Sequence, residues 1–395
     1  MPRTMLLVLC CLAGHLPVSA ADYFELRHGL TNSRLVFEQT QKGRVAFLGG
    51  SITTMAGWKE LVSHNLQRRF PKTQFEFINA GMPSTGSTPG AFRLVRDVFK
   101  NGQVDLLFEE AAVNDLYNGR SDDEQIRAME GIVRHARTLN PNIDIVIMHF
   151  VDPPKMADYN RGAIPAVIKN HERVAEHYHL PSINLALEVT ERIKRGEFTW
   201  EDDFKDLHPS PFGHKIYSST IGRCFNAAWS KRTKTVKTTT YPLPEKLDET
   251  CYDLGRLLMP QRAKALKGFK RVEKWTNTVG GGTRPGFVDV QMLVGQQPGD
   301  SFALDFKGTA VGLFVAAGPD AGIIEFRIDG GFWIEQDLYT KWSAGLHIPW
   351  LYVFSSQLNP EEPHELNVRI SSKKNEKSKG HACRVVYLAI NGNEN

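Results

Sequence analysis

The chain has 395 residues, 48 Lys and Arg against 44 Asp and Glu, a formal net charge of +4 and 41% apolar residues. That length suits two domains, and the composition is that of an ordinary globular protein, not a disordered or fibrous one. No Lys/Arg block of the kind that tracks phosphate backbones occurs, which argues against nucleic acid as a partner.

The N-terminus reads as an export signal, residues 1–21, rather than as part of the fold. Arg3 precedes the apolar run 5–12, which is too short to span a bilayer, and Pro17 to Ala21 supply small residues for cleavage near Ala20 or Ala21. Gly14 and Pro17 interrupt the run and disfavour a buried helix. Cys10 and Cys11 follow no Leu-Ala-Gly lipobox, which disfavours a lipid anchor. No later apolar run is long enough for a membrane helix, so a secreted or periplasmic protein is expected. Cys224, Cys251 and Cys383 then remain, none at metal-ligand spacing. They make either one disulfide, with Cys224 and Cys251 the nearer pair, or three free, partly buried thiols.

Residues 44–227 alternate strand-like and helical runs. Strands are expected at 44–48, 75–79, 104–108, 143–149 and 180–184. Helices are expected at 58–70, 91–99, 122–139 (with Ser121 as N-cap), 163–179, 188–195 and 214–229. This alternation predicts an α/β unit over 22–229: a parallel sheet with helices on both faces and its site at the carboxyl ends of the strands. Residues 230–268 begin with a Lys-, Thr- and Pro-rich stretch and read as a linker. Residues 269–395 carry short β-like runs between Gly, Pro and Asp turns and read as an antiparallel β-sandwich.

Four short blocks fall at or after element ends. Gly49-Gly50-Ser51 follows the first strand, where a sharp Gly-bearing turn exposes a serine hydroxyl; the Lys of a phosphate-binding loop is absent. Asn79-Ala80-Gly81 follows the second strand, and its glycine permits a backbone N–H to approach a substrate oxygen. Ala112-Val113-Asn114-Asp115 follows the third; the Asn114 amide suits a developing oxyanion, while Asp115 is expected to hold the loop. Asp206-Leu207-His208-Pro209-Ser210 precedes the closing helix and offers a general base with an acid beside it. Each block alone also reads as an ordinary turn or cap.

Together and in this order, Ser51, Gly81, Asn114 and His208 resemble the four blocks of the SGNH (GDSL-like) hydrolase family, over roughly residues 40–227. The resemblance implies a flavodoxin-like three-layer domain and a carboxylic ester hydrolase needing no cofactor and no metal. Ser51 would be its nucleophile and His208 its base, with an oxyanion hole from Ser51 N–H, Gly81 N–H and the Asn114 amide. Two departures matter: the usual Gly-Asp-Ser is Gly49-Gly50-Ser51, and the family's acid position three residues before the histidine holds Lys205. Asp206 is the expected orienting acid, with Asp203 as competitor and a Ser-His dyad as a third option.

Export plus an appended sandwich is similar to carbohydrate esterases, so the expected substrate is an acylated, chiefly acetylated, polysaccharide or oligosaccharide. A broad short-chain, aryl or lipid esterase is the alternative within the same chemistry, and a non-catalytic glycan-binding protein the alternative outside it. Trp275, Trp333, Tyr339, Trp342 and Trp350 either stack on sugar rings or fill the sandwich core and domain interface. Trp200 either lines the cleft or packs; His149, Asp152 and His214 stand near element ends.

Overall fold

The computed structural model describes residues 22–230 and 236–393; the stretch read as an export signal, residues 1–21, lies outside them. The first domain runs β1 (Phe24–Glu25), α1 (Thr31–Thr40), β2 (Lys42–Gly49), α2 (Ser51–Thr54), α3 (Trp58–Arg69), β3 (Gln74–Gly81) and α4 (Ser87–Leu94), which continues as a π-helical turn, Val95–Phe99. It goes on through β4 (Leu106–Glu110), α5 (Ala112–Tyr117), α6 (Asp122–Leu139), β5 (Asp144–Met148), α7 (Pro153–Asn160), α8 (Ala166–His177), β6 (Ser182–Ile183) and α9 (Leu185–Lys194). A π-helical turn, Trp200–Phe204, then leads to α10 (Pro211–Trp229).

These strands form one sheet in the order β1-β6-β5-β4-β2-β3, parallel except for β1. Every residue of β4 and β5 is buried, as expected of central parallel strands covered on both faces. Edge strand β3 instead alternates towards solvent. The winding of the sheet reverses between β2 and β4, which makes their carboxyl ends the switch point where sites in such sheets collect. Helix α6 shows why the helices form where they do. Ser121 Oγ accepts the Glu124 N–H while the Glu124 carboxylate accepts the Ser121 N–H at 2.9 Å. Asp122, Asp123 and Glu124 oppose the helix dipole, and Ile126, Met129, Ile132, Val133 and Ala136 form the buried stripe.

The second domain comprises β7 (Gly255–Leu258), β8 (Lys264–Lys267), β9 (Lys270–Trp275), β10 (Val290–Gly295), β11 (Ser301–Lys307), β12 (Ala310–Ala317), β13 (Ile323–Ile328), β14 (Ile334–Asp337), β15 (Ile348–Ser355), β16 (Pro363–Ile370) and β17 (Cys383–Asn391). One sheet runs β15-β12-β17-β10-β9, with β7 also on β17; the other runs β14-β13-β16-β11-β8. Leu293, Leu313, Val385 and Leu388 of the first meet Phe302, Leu304, Phe326 and Val368 of the second. The outer face of the first sheet shares one core with α4 and α6 of the first domain, joining Phe92 and Ile132 to Phe314, Leu351 and Val386. Arg120 Nη2 donates to Leu351 O at 3.0 Å, and the Arg96 guanidinium lies 4.6 Å from the Tyr387 ring centroid.

The structure corrects several expectations and decides between others. The helix expected at 163–179 is α8, shorter at both ends because Pro165 caps its start and Tyr178 its end; the sequence reading also missed α1 and α7. The stretch read as a linker over 230–268 contains β7 and β8, and residues 236–254 form a pinned strap. Asn32 Nδ2 donates to Thr239 O at 2.7 Å, and Arg134 Nη1 donates to Pro244 O at 2.7 Å. Cβ atoms at Gly131 and Gly255 would each come within 2.8 Å of backbone across this seam, so the strap lies flush on α4 and α6. Cys224, Cys251 and Cys383 are free, buried thiols, and burial pushes each up to about 12. Trp275 is buried and Trp350 lies 5.2 Å from the Arg120 guanidinium, which makes both packing residues. Trp333 rests on Arg327 and Arg369 on the outer sheet, Tyr339 is half-buried and Trp342 is exposed.

Candidate active site

Ser51 opens α2, a single turn entered from β2 through Gly49 and Gly50. Thr54 N and Thr54 Oγ1 both donate to Gly50 O at 3.0 Å, which fixes the turn. The Ser51 N–H lies at the helix start, where no carbonyl of its own helix can reach it. Ser51 Oγ stands 2.8 Å from His208 Nε2, the geometry that a nucleophile and a general base require, between residues 157 apart in sequence.

Close backbone approach explains the glycines. A Cβ on Gly50 would sit 2.0 Å from Asn114 Oδ1, so the Asn114 amide occupies the space a side chain would need beside Ser51. A Cβ on Gly81 would lie 2.4 Å from Thr54 N and 2.8 Å from Thr53 C, so the end of β3 presses on the serine turn, backbone against backbone. The structure therefore gathers Ser51, Gly81, Asn114 and His208 in one place. It also shows that Gly81 N–H donates to Asn79 Oδ1 at 3.0 Å, while Asn79 Nδ2 donates to Thr54 O at 3.2 Å. The exposed Asn79 side chain thus takes the Gly81 N–H, and any other acceptor there would have to share or displace it.

The histidine loop separates the two candidate acids. Asp206 Oδ1 accepts the His208 N–H at 2.5 Å and lies 3.6 Å from His208 Nδ1. Asp203 turns away, its Oδ2 accepting the Thr199 N–H at 2.8 Å and the Thr199 hydroxyl at 3.3 Å. Lys205, at φ +84°, makes the left-handed step that allows this. Ser210 caps α10 and donates its hydroxyl to Asp203 O, securing the far end of the loop. The His208 and Asp206 side chains are 48% and 67% exposed, so their attraction is weakened by water and works mainly as orientation.

The other singled-out residues are scaffolding. Buried Asp115 takes the Ser87 N–H at 2.9 Å and His171 Nε2 at 3.1 Å, tying α5 to α4 and α8. Asp152 caps α7 and pairs with Lys155. His149 meets Glu172 at 2.8 Å. His214 accepts the Trp58 N–H at 3.2 Å, and burial lowers its pKa to about 4. Trp200 stacks on Phe204, with ring centroids 5.1 Å apart.

Sequence reasoning missed Glu110, the last residue of β4. It is fully buried, and Oε1 accepts the N–H groups of Val113 (3.2 Å) and Phe150 (3.4 Å). Burial raises its pKa to about 7, against partial compensation from Lys155. A carboxyl with a raised folded-state pKa holds its proton more tightly when folded. Its contribution to stability is therefore full below about 4.5, declines as pH rises to about 7, and stays lost above. Glu110→Gln keeps the acceptor and removes the ionisation. Wild type should lose stability between pH 5 and pH 8, and that loss should be smaller in the variant, by no more than roughly 3 kcal/mol. Parallel Tm curves for the two proteins would refute this assignment.

Residues 47–216 match the GDSL-like lipase/acylhydrolase family. No curated protein matches the chain. Among solved structures, a two-domain esterase active on acetylated mannans, co-crystallised with mannopentaose, shares 20% identity over 93% of this chain and 96% of its own, with a TM-score of 0.73. The same kind of enzyme without that ligand matches at 21% identity over 92% and 96%, with a TM-score of 0.73. The likeness spans both domains and shows a shared two-domain fold. Residues 47–216 thus form a domain of the GDSL-like lipase/acylhydrolase family, joined here to an antiparallel β-sandwich.

Proposed function

We propose that the protein is an exported carbohydrate O-acetylesterase in which Ser51, His208 and Asp206 form the catalytic triad. The observation that carries this reading is the 2.8 Å contact between Ser51 Oγ and His208 Nε2 beside Gly81 and Asn114. His208 takes the Ser51 proton as the serine oxygen attacks the ester carbonyl. The tetrahedral oxyanion is held by the N–H groups of Ser51 and Gly81 and by the Asn114 amide. His208 then gives its proton to the leaving sugar hydroxyl, and water clears the acetyl-enzyme by the same route, releasing acetate.

The substrate class rests on the site's openness and on the shared fold. An exposed histidine and aspartate suit a small acyl group pendant on a polymer, which must lie across the surface. The two-domain relative acts on acetylated mannans, and no described helix is long and apolar enough to cross a membrane. Export follows from the N-terminal segment in the sequence.

The test is acetate release from acetylated mannan and xylan, set against release from 4-nitrophenyl acetate and long-chain esters, with Asp206→Asn and Asp203→Asn beside wild type. Acetylated polysaccharide should be preferred. Asp206→Asn should lower kcat by about 10-fold to 10²-fold, short of the roughly 10⁴-fold seen where the acid is buried, because Asp206 is exposed. Asp203→Asn should cost less than about threefold. A larger loss in Asp203→Asn would reverse the assignment, and preference for long acyl chains would move the substrate class to lipid esters.

A further inference from the structure

Arg93, on α4, is 1% exposed. Its Nη1 donates to Ala80 O at 2.6 Å and to Asp97 Oδ2 at 2.9 Å, and its Nη2 donates to Gly49 O at 3.0 Å. These two carbonyls lie at the carboxyl ends of β3 and β2. Ala80 C=O and Gly81 N–H are opposite ends of one planar peptide unit, so an anchor on the carbonyl sets where the N–H points. Gly49 C=O likewise shares a peptide with Gly50 N–H, one unit before the peptide that carries the Ser51 N–H.

β2 and β3 are already paired in register from Lys42 against Gln74 to Gly49 against Gly81, and Gly49 O already accepts the Met82 N–H at 2.9 Å. A buried guanidinium is a costly way to reinforce strands that hold each other. What the sheet ladder cannot do is place a positive charge behind the carbonyl of the donor peptide. A hydrogen bond to a peptide carbonyl polarises the unit and strengthens its N–H as a donor. Donors held in advance lower the barrier because they need no reorganisation when the oxyanion forms.

Resting on the esterase reading of Ser51 and Gly81, we infer that Arg93 is a positioning residue of the oxyanion hole, its planar fork clamping the Ala80–Gly81 peptide and the serine turn to each other. Asp97 is the counter-ion that holds the fork in plane. The reach is geometric as well as electrostatic: one Lys ammonium is a single point and does not reproduce a fork spanning two carbonyls.

The test compares Arg93→Lys and Arg93→Met with wild type in steady-state hydrolysis of 4-nitrophenyl acetate, and in binding of a boronic acid, which forms a tetrahedral adduct on a serine oxygen. Thermal melts report folding. The kcat should fall by about tenfold in Arg93→Lys and about 10²-fold in Arg93→Met, with KM within about threefold, because the loss is confined to the charged transition state. Boronate affinity should fall in parallel with kcat. A folded Arg93→Met with kcat within about twofold of wild type, or a loss carried by KM alone, overturns the inference. If neither variant folds, Asp97→Asn takes their place. It should lower kcat and boronate affinity together by at least about threefold, and unchanged values overturn the inference. Wild type lacking both hydrolysis and boronate binding would take down the esterase reading and this inference together, an outcome visible before any variant is made.

Discussion

Ser51→Ala should remove ester hydrolysis almost completely, with kcat on 4-nitrophenyl acetate falling by at least about 10⁴-fold. The expectation follows from the contact itself. Ser51 Oγ is 2.8 Å from His208 Nε2, and the serine stands at the start of a turn whose glycines keep side chains away from it. Alanine removes the oxygen that forms the acyl-enzyme and leaves the backbone donors in place. Residual activity over water of about 10³-fold is what binding and the oxyanion hole alone supply in other serine hydrolases. Stability should barely move, since Ser51 is half-buried and the turn is held by Thr54, not by the serine side chain. Covalent labelling by a serine-directed phosphonate should disappear in the variant. An alanine variant that still releases acetate at the wild-type rate would place the chemistry elsewhere.

Asn114→Ala should cost about 10²-fold to 10³-fold in kcat, the effect of deleting one oxyanion donor, while KM stays within about threefold. Asn114 enters the site from α5, which Asp115 fastens to α4 and α8 through Ser87 and His171. The amide is thus presented by a rigid element and not by a free loop. Its closeness to Gly50 gives a second arm to the experiment. Gly50→Ala puts a methyl group where Asn114 Oδ1 lies, and it should mimic the loss in Asn114→Ala without removing any donor. In the double variant the two losses should fail to add, because they act on one interaction. Full additivity would mean that Gly50 and Asn114 serve separate functions, and an Asn114→Ala variant as active as wild type would remove Asn114 from the oxyanion hole.

The parts of this architecture that were legible in the sequence are those where local pattern and tertiary demand agree. The run at 104–108, the long helical stretch with Ser121 as its N-cap, and the short β-like runs near the C-terminus all stand close to where they were expected. Buried parallel strands need continuous apolar residues, and an amphipathic helix with a capping box needs nothing from elsewhere in the chain to announce itself. The candidate site was legible for a related reason. Nucleophile, donors and base must each sit just past the end of a strand or before a helix, and short blocks containing Gly, Asn and His mark such places.

What the pattern did not carry depends on distant partners. The strap before the sandwich has the composition of a linker, yet its backbone is bonded to α1 and α6, and β7 pairs with β17, more than a hundred residues away. No local periodicity reports such pairing. Asp203 and Asp206 are chemically equal in the sequence. The left-handed step at Lys205 and the hydroxyl of Thr199 separated them by turning one carboxylate towards His208 Nδ1 and the other away. Arg93 reads as one more charged residue on a helix, and Glu110 as a polar residue ending a strand. By itself the sequence determined the strand–helix alternation, the identity of the four blocks and the hydrolase family they resemble, because those follow from hydrophobic period and turn chemistry. Only the tertiary structure decided which acid faces the histidine, which amide lies over Gly50 and which buried cation grips the peptides of the site, because each depends on atoms that meet across the fold.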